Sequence, residues 1–519
     1  MKRMNIQILL LFIMVACLGV LLPACTPAEP LADANVIVIL IDTLRSDYVG
    51  AYNPERKLTP SMDLISREGA YFRNAIAPSS WTKPSVASLM TGLYPGRHGT
   101  VKRGFEKKDS RGRFSLDPGL TTLSEELNRA GYSTAAFATN PNIIPSLHFD
   151  KGYDHFMQPA GIANELFDQA TAWIEANRGK GKFHLYLHLL DPHLPYFPPE
   201  DYRERFIEEP FEEAAPFTRL GQSFEIDLWI KQYKHWEPEG PGDRFKFDFD
   251  QAWAELVEKF PDKANHIDKA QLAEFMFLDF EGYDDPALKK RVDHLISLYE
   301  GEVVYTDDAI QEFVKMLETE GLLDNTILVV TADHGEAFLE HDLWGHDRSV
   351  HWEEVNVPLI FRIPGEDGPV KGTFDEAVSL VDVYPTILDL VGLPLPESLD
   401  GTSLKPILLP SNRAFRRERP VFTELIGQTK DLVAAIFQDR KVIREVSQDG
   451  ELAWYYFELD SDPEEQVPLD LDEGDDRVKA LKRSIESFIK NRSLDRPGDE
   501  NEGQLTEEEI EEMRKLGYL

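Results

Sequence analysis

The chain has 519 residues, a formal net charge of -37, 42% hydrophobic residues and 28% charged residues. These proportions are those of a globular protein with a sizeable core, and the length accommodates one large α/β domain with a smaller one appended. The acidic excess excludes nucleic acid as a partner and excludes electrostatic docking on anionic lipid.

Residues 1–25 read as a targeting segment rather than as part of the fold. Lys2 and Arg3 supply a positive start, residues 6–22 are almost continuously apolar, and Leu-Leu-Pro-Ala-Cys at 21–25 resembles a bacterial lipoprotein processing site. The expectation is an extracytoplasmic lipoprotein of the cell envelope, lipidated at Cys25 and facing the periplasm or the cell surface. Membrane contact would then come only through this N-terminal lipid anchor. A plain secretory signal, an uncleaved anchor and processing at Cys17 are the alternatives. Both cysteines of the chain lie in this segment, so no disulfide is expected. Residues 26–34 form a short tether.

Residues 36–41 are an unbroken aliphatic run rich in β-branched side chains, which predicts a strand buried on both faces, as in a parallel sheet. Residues 183–190, 326–331 and 358–363 read the same way. Helical periods lie between them at 58–69, at 122–130 before Gly131, and at 299–320 before Gly321. The alternation predicts a doubly wound, mostly parallel α/β sheet flanked by helices over 35–409. Ligands of such sheets sit beyond the carboxyl ends of the strands. Asp42, Asp191 and Asp333 follow three of the predicted strands, which suits a metal site, although each alone also reads as a turn or a helix cap.

Residues 200–290 interrupt this pattern with an acidic, aromatic stretch that reads as a helical insertion, either a lid over substrate or a packed peripheral subdomain. Short strand-like runs at 421–424, 432–437, 441–446 and 454–459 predict a small C-terminal antiparallel α+β subdomain over 410–492. Residues 493–505 read as a linker. Residues 506–519 read as a short acidic helix opened by a capping box at Thr506 and Glu509.

Residues 82–92 read Thr-Lys-Pro-Ser-Val-Ala-Ser-Leu-Met-Thr-Gly. The segment resembles the signature of the sulfatase family, C/S-x-P-S-R-A-S-L-x-T-G, whose leading Cys or Ser is oxidised to formylglycine. Here Thr82 stands at that place and Val86 at that of the motif's Arg. The Cβ methyl of threonine bars the aldehyde but leaves an oxygen able to act as an alkoxide. Thr82 therefore resembles the nucleophile of the phosphate-ester branches of the alkaline phosphatase superfamily. As the first residue of a helix, it would have the N–H groups and the positive dipole end beside the anion it attacks.

Two further segments resemble sulfatase metal segments: Leu-Ile-Asp-Thr-Leu-Arg-Ser-Asp at 40–47 and Thr-Ala-Asp-His-Gly-Glu at 331–336. The resemblance implies one divalent ion held by Asp42, Thr82, Asp333 and His334, with Thr43 in place of a second acidic ligand. Three oxygens and an imidazole suit Zn²⁺ or Mn²⁺ better than Ca²⁺, and a second ion is compatible with the remaining histidines. His193, in Asp-Pro-His-Leu-Pro-Tyr, resembles the family histidine on the leaving-group side. His346, twelve residues after His334, matches a histidine of the headgroup phosphotransferases of the superfamily. Both are read as catalytic and substrate-binding, against the alternative of surface histidines in polar loops. His341 is a weaker candidate. Asn140 falls where sulfatases carry a Lys-His segment, and it reads either as a donor to the transferred group or as a turn cap.

The resemblance spans roughly residues 35–470 and implies a large α/β domain with a four-stranded C-terminal subdomain. The departures at Thr82, Val86, Thr43 and the Lys-His segment lead to a metal-dependent hydrolase of phosphoric or phosphonic esters. Its substrate would be a small molecule, a glycan or a lipid. Three other functions stand beside it: a sulfatase working without formylglycine, a phosphoethanolamine-type headgroup transferase, and a non-catalytic binding module.

Overall fold

The computed structural model describes residues 30–101, 113–159, 162–194, 196, 198–203, 205, 286–365, 368–409, 417–426, 430–447, 449–469, 475–492 and 506. The targeting segment with Cys25, most of the tether, nearly all of the 200–290 insertion and the terminal linker and acidic helix lie outside the described residues.

One eight-stranded sheet organises the main domain. Its strands are β1 (Asn35–Ile41), β2 (Ala70–Phe72), β3 (Ser133–Ala138), β4 (His155–Met157), β5 (Phe183–Leu189), β6 (Thr326–Ala332), β7 (Leu359–Arg362) and β8 (Gly372–Phe374). Their order is β8-β2-β7-β6-β1-β5-β3-β4. The aliphatic run of β1 sits at the centre with every residue buried, paired in parallel to β5 on one side and β6 on the other. β7 is the exception to the expected direction, because it runs antiparallel to both β6 and β2. Burial on both faces is what an unbroken apolar run reports, and it is the same for either strand direction.

The helices are α1 (Pro60–Glu68), α2 (Thr82–Thr91), α3 (Leu123–Arg129), α4 (Ala163–Asn177), α5 (Pro286–Thr319) and α6 (Val383–Leu390). α5 packs on α1 and α4, with Phe167 and Phe313 stacked at 4.8 Å, while α2, α3 and α6 form a second group. α3 opens with the capping box expected there. Thr122 Oγ1 accepts the Glu125 N–H, and the Glu125 carboxylate accepts the Thr122 N–H. α1 has no such local cap. Its N–H groups at Ser61 and Met62 donate instead to Asp307 of α5, each at 2.8 Å. α5 starts thirteen residues before the expected position 299, at Pro286. Among the described residues, no helix is long and apolar enough to cross a membrane.

The C-terminal part is a four-stranded antiparallel sheet of β9 (Val421–Ile426), β10 (Lys430–Phe437), β11 (Arg440–Ser447) and β12 (Leu452–Glu458), in that order. A seventh helix, α7 (Asp476–Lys490), lays Val478, Leu481 and Ile485 over Val433, Ala435 and Val442 of the sheet. The sequence reading contained the four strands but not this helix.

A buried polar network ties the C-terminal part to the loop after β6. Glu465 accepts from Lys441 Nζ at 2.6 Å and from His351 Nδ1 at 2.7 Å, and its backbone carbonyl accepts from His341 Nε2 at 2.9 Å. His341 Nδ1 lies 2.8 Å from Glu353, and its ring stacks on that of His351 at 3.7 Å. Burial alone would push His341 down. The hydrogen bond to Glu353 and the charge of that carboxylate outweigh it and lift the imidazole to about 9. Both ring nitrogens face acceptors, so the folded protein holds the imidazolium.

A folded value above the ordinary 6.5 makes this contribution complete below about pH 6.5 and lost as pH rises through about 9. Wild type is expected to exceed His341→Asn in stability by about 1–2 kcal/mol at pH 6, with the gap shrinking by pH 9.5. Thermal melts at several pH values measure it, and a gap independent of pH would show that His341 packs as a neutral ring.

Candidate active site and metal centre

Strand register places the acidic pair. Ile41 at the end of β1 is paired with Ala332 at the end of β6, so Asp42 and Asp333 emerge side by side from the carboxyl edge of the sheet. Asp42, Asp333 and His334 are completely buried, and their potential ligand atoms lie within 4.8 Å of one another. Each carboxylate has one oxygen engaged and one bare. Asp333 Oδ1 accepts the backbone N–H of His334 at 2.9 Å and of Thr43 at 3.3 Å. Asp42 Oδ2 lies 2.5 Å from Asn140 Nδ2 and 3.2 Å from His188 Nε2. Asp42 Oδ1 and Asp333 Oδ2 have no hydrogen-bond partner, and they lie 3.8 and 3.5 Å from His334 Nε2.

His334 Nδ1 lies 2.9 Å from the Gly335 carbonyl, to which only an N–H can donate, so Nδ1 carries a hydrogen and Nε2 faces the two bare oxygens. Two buried like charges with half of their oxygens unsatisfied are costly. Burial and the charge of Asp42 push Asp333 up. Burial acts the same way on Asp42, but the hydrogen bond from His188 and the nearby imidazoles hold it well below the usual carboxylate range. Bare oxygens, an oriented imidazole nitrogen and an unbalanced negative charge fit a divalent cation.

Thr82 opens α2, where Trp81 is extended and no side chain caps the helix. Its Oγ1 lies 3.3 Å from His334 Nε2, at the edge of the acidic cluster. Two contacts hold this turn. Ser85 Oγ donates to the Asp333 carbonyl at 2.6 Å, and His98 Nε2 lies 3.1 Å from the Pro84 carbonyl. The other His98 nitrogen accepts the Thr100 N–H at 3.0 Å, and burial pushes this neutral ring down to about 3. Val86, at the place of the family arginine, is fully buried in the core.

The other sequence candidates divide. The His346 ring lies tilted 4.5 Å from the His334 ring, and the His193 ring lies 5.0 Å from that of His346. His346 Nδ1 lies 2.9 Å from Glu336 Oε1; burial opposes its charge, but the Glu336 carboxylate raises it to about 9. Asn140, read either as a donor to the transferred group or as a turn cap, directs its amide N–H at Asp42 and accepts the Asn142 N–H at 2.8 Å. Asp191 is outside the cluster: it accepts the Ala163 N–H at 3.1 Å, where α4 begins, and burial raises it to about 6. His341 belongs to the network at Glu465.

Three residues gain a place that the sequence reading did not give them. Arg45 joins the two metal segments through the Glu336 carbonyl at 3.0 Å and Glu340 at 2.7 Å. Glu336 is fully buried behind His346. His188 reaches Asp42 from β5. Its signal was the alternation of His184, Tyr186 and His188 inside an otherwise aliphatic strand.

The fold and this site define a metal-dependent ester hydrolase. The family model described as Sulfatase matches residues 34–393, and one described as N-sulphoglucosamine sulphohydrolase, C-terminal, matches residues 340–491. The chain belongs to the sulfatase family, within the alkaline phosphatase superfamily. It is 25% identical over 486 residues to an arylsulfatase of Clostridium perfringens, covering 88% of this chain and 95% of the relative. It is also 25% identical over 436 residues to the multifunctional alkaline phosphatase superfamily protein PehA of Trinickia caryophylli, covering 72% and 77%. A solved structure of BT4656 in complex with D-glucosamine-2-N,6-O-disulfate superposes with a TM-score of 0.66 at 22% identity, covering 90% of this chain and 100% of that one. The phosphonate monoester hydrolase of Agrobacterium radiobacter does so with a TM-score of 0.61 at 18% identity, covering 88% and 95%.

The charge imbalance leads to a test by thermal melting. A saturating divalent ion is expected to stabilise the chain by about 3 kcal/mol at a hundredfold excess over Kd, a shift of a few degrees. Asp333→Asn removes one of the two repelling charges, so it should raise the melting temperature without metal and abolish the metal-induced shift. Wild-type melting that ignores Zn²⁺, Mn²⁺ and Ca²⁺ alike would refute the metal assignment.

Proposed function

We propose that the chain hydrolyses phosphoric or phosphonic esters, with Thr82 as nucleophile and a covalent phospho-threonine intermediate. The observation that carries this reading is a buried threonine hydroxyl at a helix N-terminus, 3.3 Å from the imidazole of an acidic metal-fit cluster. Asp42, Asp333, His334 and Thr82 would hold the ion. When bound, it supplies a positive charge that lowers the pKa of the Thr82 hydroxyl toward neutrality. The oxygen and nitrogen donors, with Thr43 replacing an acidic residue, favour Zn²⁺ or Mn²⁺ over Ca²⁺.

The side chains of the site supply the remaining steps. The first-turn N–H groups and dipole of α2 receive the negative charge of the ester. Thr82 Oγ1 forms a bond to phosphorus as the bond to the leaving oxygen breaks. His346 is held as an imidazolium by Glu336 and gives its Nε2 proton to the departing alkoxide. Water then attacks phosphorus, its proton returns to His346, and the Thr82 oxygen is released. His193, beside His346, serves as a second donor to the ester oxygens.

A sulfuric ester is the second reading, favoured by the arylsulfatase relative and by the BT4656 complex with its disulfated glucosamine. PehA is also 25% identical, though over 72% of this chain against 88% for the arylsulfatase, and the phosphonate monoester hydrolases superpose with a TM-score of 0.61 against 0.66 for BT4656, so the choice of ester rests on position 82. The Cβ methyl of Thr82 leaves no route to the aldehyde that formylglycine-dependent sulfate cleavage requires. A lipid on Cys25 would hold the enzyme at the outer face of a bacterial membrane, with small esters, glycans or lipids as substrates.

Purified residues 30–519 loaded separately with Zn²⁺, Mn²⁺ and Ca²⁺ should turn over aryl phosphates or phosphonates faster than aryl sulfates. Thr82→Ala should lower kcat by about a thousandfold or more with an unchanged melting temperature, and Thr82→Ser should retain turnover. Greater activity on sulfate esters would overturn the choice of ester. Undiminished turnover by Thr82→Ala would overturn the nucleophile.

A further inference from the structure

The middle of β5 carries three polar side chains in an aliphatic setting: His184, Tyr186 and His188, placed on one face by the period of two. All three are buried. His184 is satisfied by the Val36 carbonyl at 3.2 Å, and burial pushes it down to about 4. Tyr186 and His188 form a chain that ends on Asp42. The Tyr186 hydroxyl lies 3.0 Å from His188 Nδ1, and His188 Nε2 lies 3.2 Å from Asp42 Oδ2.

The hydrogen atoms follow from the acceptors. A carboxylate oxygen can only accept, so His188 Nε2 carries a hydrogen and donates it to Asp42. The other ring nitrogen, Nδ1, faces the Tyr186 hydroxyl. Asn140 Nδ2 donates to the same Asp42 oxygen at 2.5 Å. Two donors converge on Oδ2, one from β5 and one from the loop after β3, and Oδ1 keeps no hydrogen-bond partner on the side of His334. Asp333 repeats the arrangement with backbone donors on Oδ1 and a bare Oδ2.

We propose that His188, oriented by Tyr186 and assisted by Asn140, is a positioning residue that fixes the Asp42 carboxylate so that Oδ1 alone is offered to the cation. This rests on the metal centre described above, but not on Thr82 as nucleophile or on the choice of ester. Without His188, a buried carboxylate turning about its Cβ–Cγ bond would present either oxygen or both. The bare oxygen would then no longer be oriented before the ion arrives. Donors behind metal ligands contribute about 10–100-fold in affinity where they have been removed.

Mn²⁺ binding to the purified chain, followed by titration of the free-ion paramagnetic resonance signal, tests this without reference to turnover. His188→Ala and His188→Phe should weaken Mn²⁺ about 10–100-fold. His188→Gln, whose amide N–H reaches the place of Nε2, should stay within about threefold of wild type. Tyr186→Phe should fall between them, since it loses only the hydroxyl that faces His188 Nδ1. Melting temperatures without metal provide the control: equal stability of the Gln and Phe variants with unequal affinity separates positioning from packing. Wild-type affinity in both His188→Ala and His188→Phe would overturn the role of His188 alone. A wild type that binds no Mn²⁺ would overturn the metal centre together with it.

Discussion

The rest of the site depends on one constraint, the parallel register of β1 and β6. That register leaves two aspartates adjacent at the sheet edge with nowhere to go but inward. Burial removes the water that would otherwise screen them. The fold answers half of the cost with N–H donors: Asn140 and His188 on Asp42, and the backbones of Thr43 and His334 on Asp333. The other half is left unanswered in one small volume, and a cation resolves it. The same residues place Thr82, the proposed nucleophile. Ser85 holds α2 to the Asp333 carbonyl, so the end of β6 sets both the acidic cluster and the position of Thr82.

The positive charge around Thr82 is distributed unlike that in the sulfatase signature. Val86 fills core volume where the motif has an arginine, and Lys83 is buried with its ammonium 3.4 Å from the centre of the Phe114 ring. The Lys-His segment is replaced by Thr139 and Asn140, whose contacts are with β5 and with Asp42. Among the described residues, the proposed mechanism uses the N-terminus of α2, the His346–Glu336 pair and His193 for the anionic substrate. The proposed mechanism therefore leans on a helix dipole and held imidazoles rather than on the arginine and the Lys-His segment of the family motifs.

Legibility in the sequence followed the length scale of each signal. The four apolar runs marked the central strands because burial on both faces demands uninterrupted aliphatic residues. They could not mark the direction of β7, since that demand is the same either way. Asp42, Asp333, His334 and Thr82 were readable because each stands immediately after a strand or at the start of a helix, within a motif of recognisable spacing. His188 and Glu336 were not singled out, because their roles arise from pairing across the sheet and across a loop. Asp191 shows the reverse: a strand-end aspartate placed like Asp42, but turned to the start of α4 by a neighbour 28 residues away in sequence. The α1 cap supplied by Asp307 is equally invisible locally, because its donors and acceptor are 245 and 246 residues apart.

The glycine of Asp-His-Gly-Glu shows how far the site extends. A Cβ on Gly335 would lie 2.1 Å from the Glu353 carbonyl oxygen, and the Gly335 N–H donates to the Glu354 carbonyl at 2.8 Å. The loop carrying His334 is thus pressed directly on residues 353–354. Those residues are not free to yield, because the Glu353 side chain is held by His341, and His341 by the backbone of Glu465. Glu465 in turn is fixed by Lys441 on β11. A side chain at position 335 would have to displace either this backbone or His334. The C-terminal sheet therefore acts as the backstop of the metal loop, which explains why a subdomain whose described residues add nothing to the Asp42–Asp333–His334 cluster is built against the edge of the site.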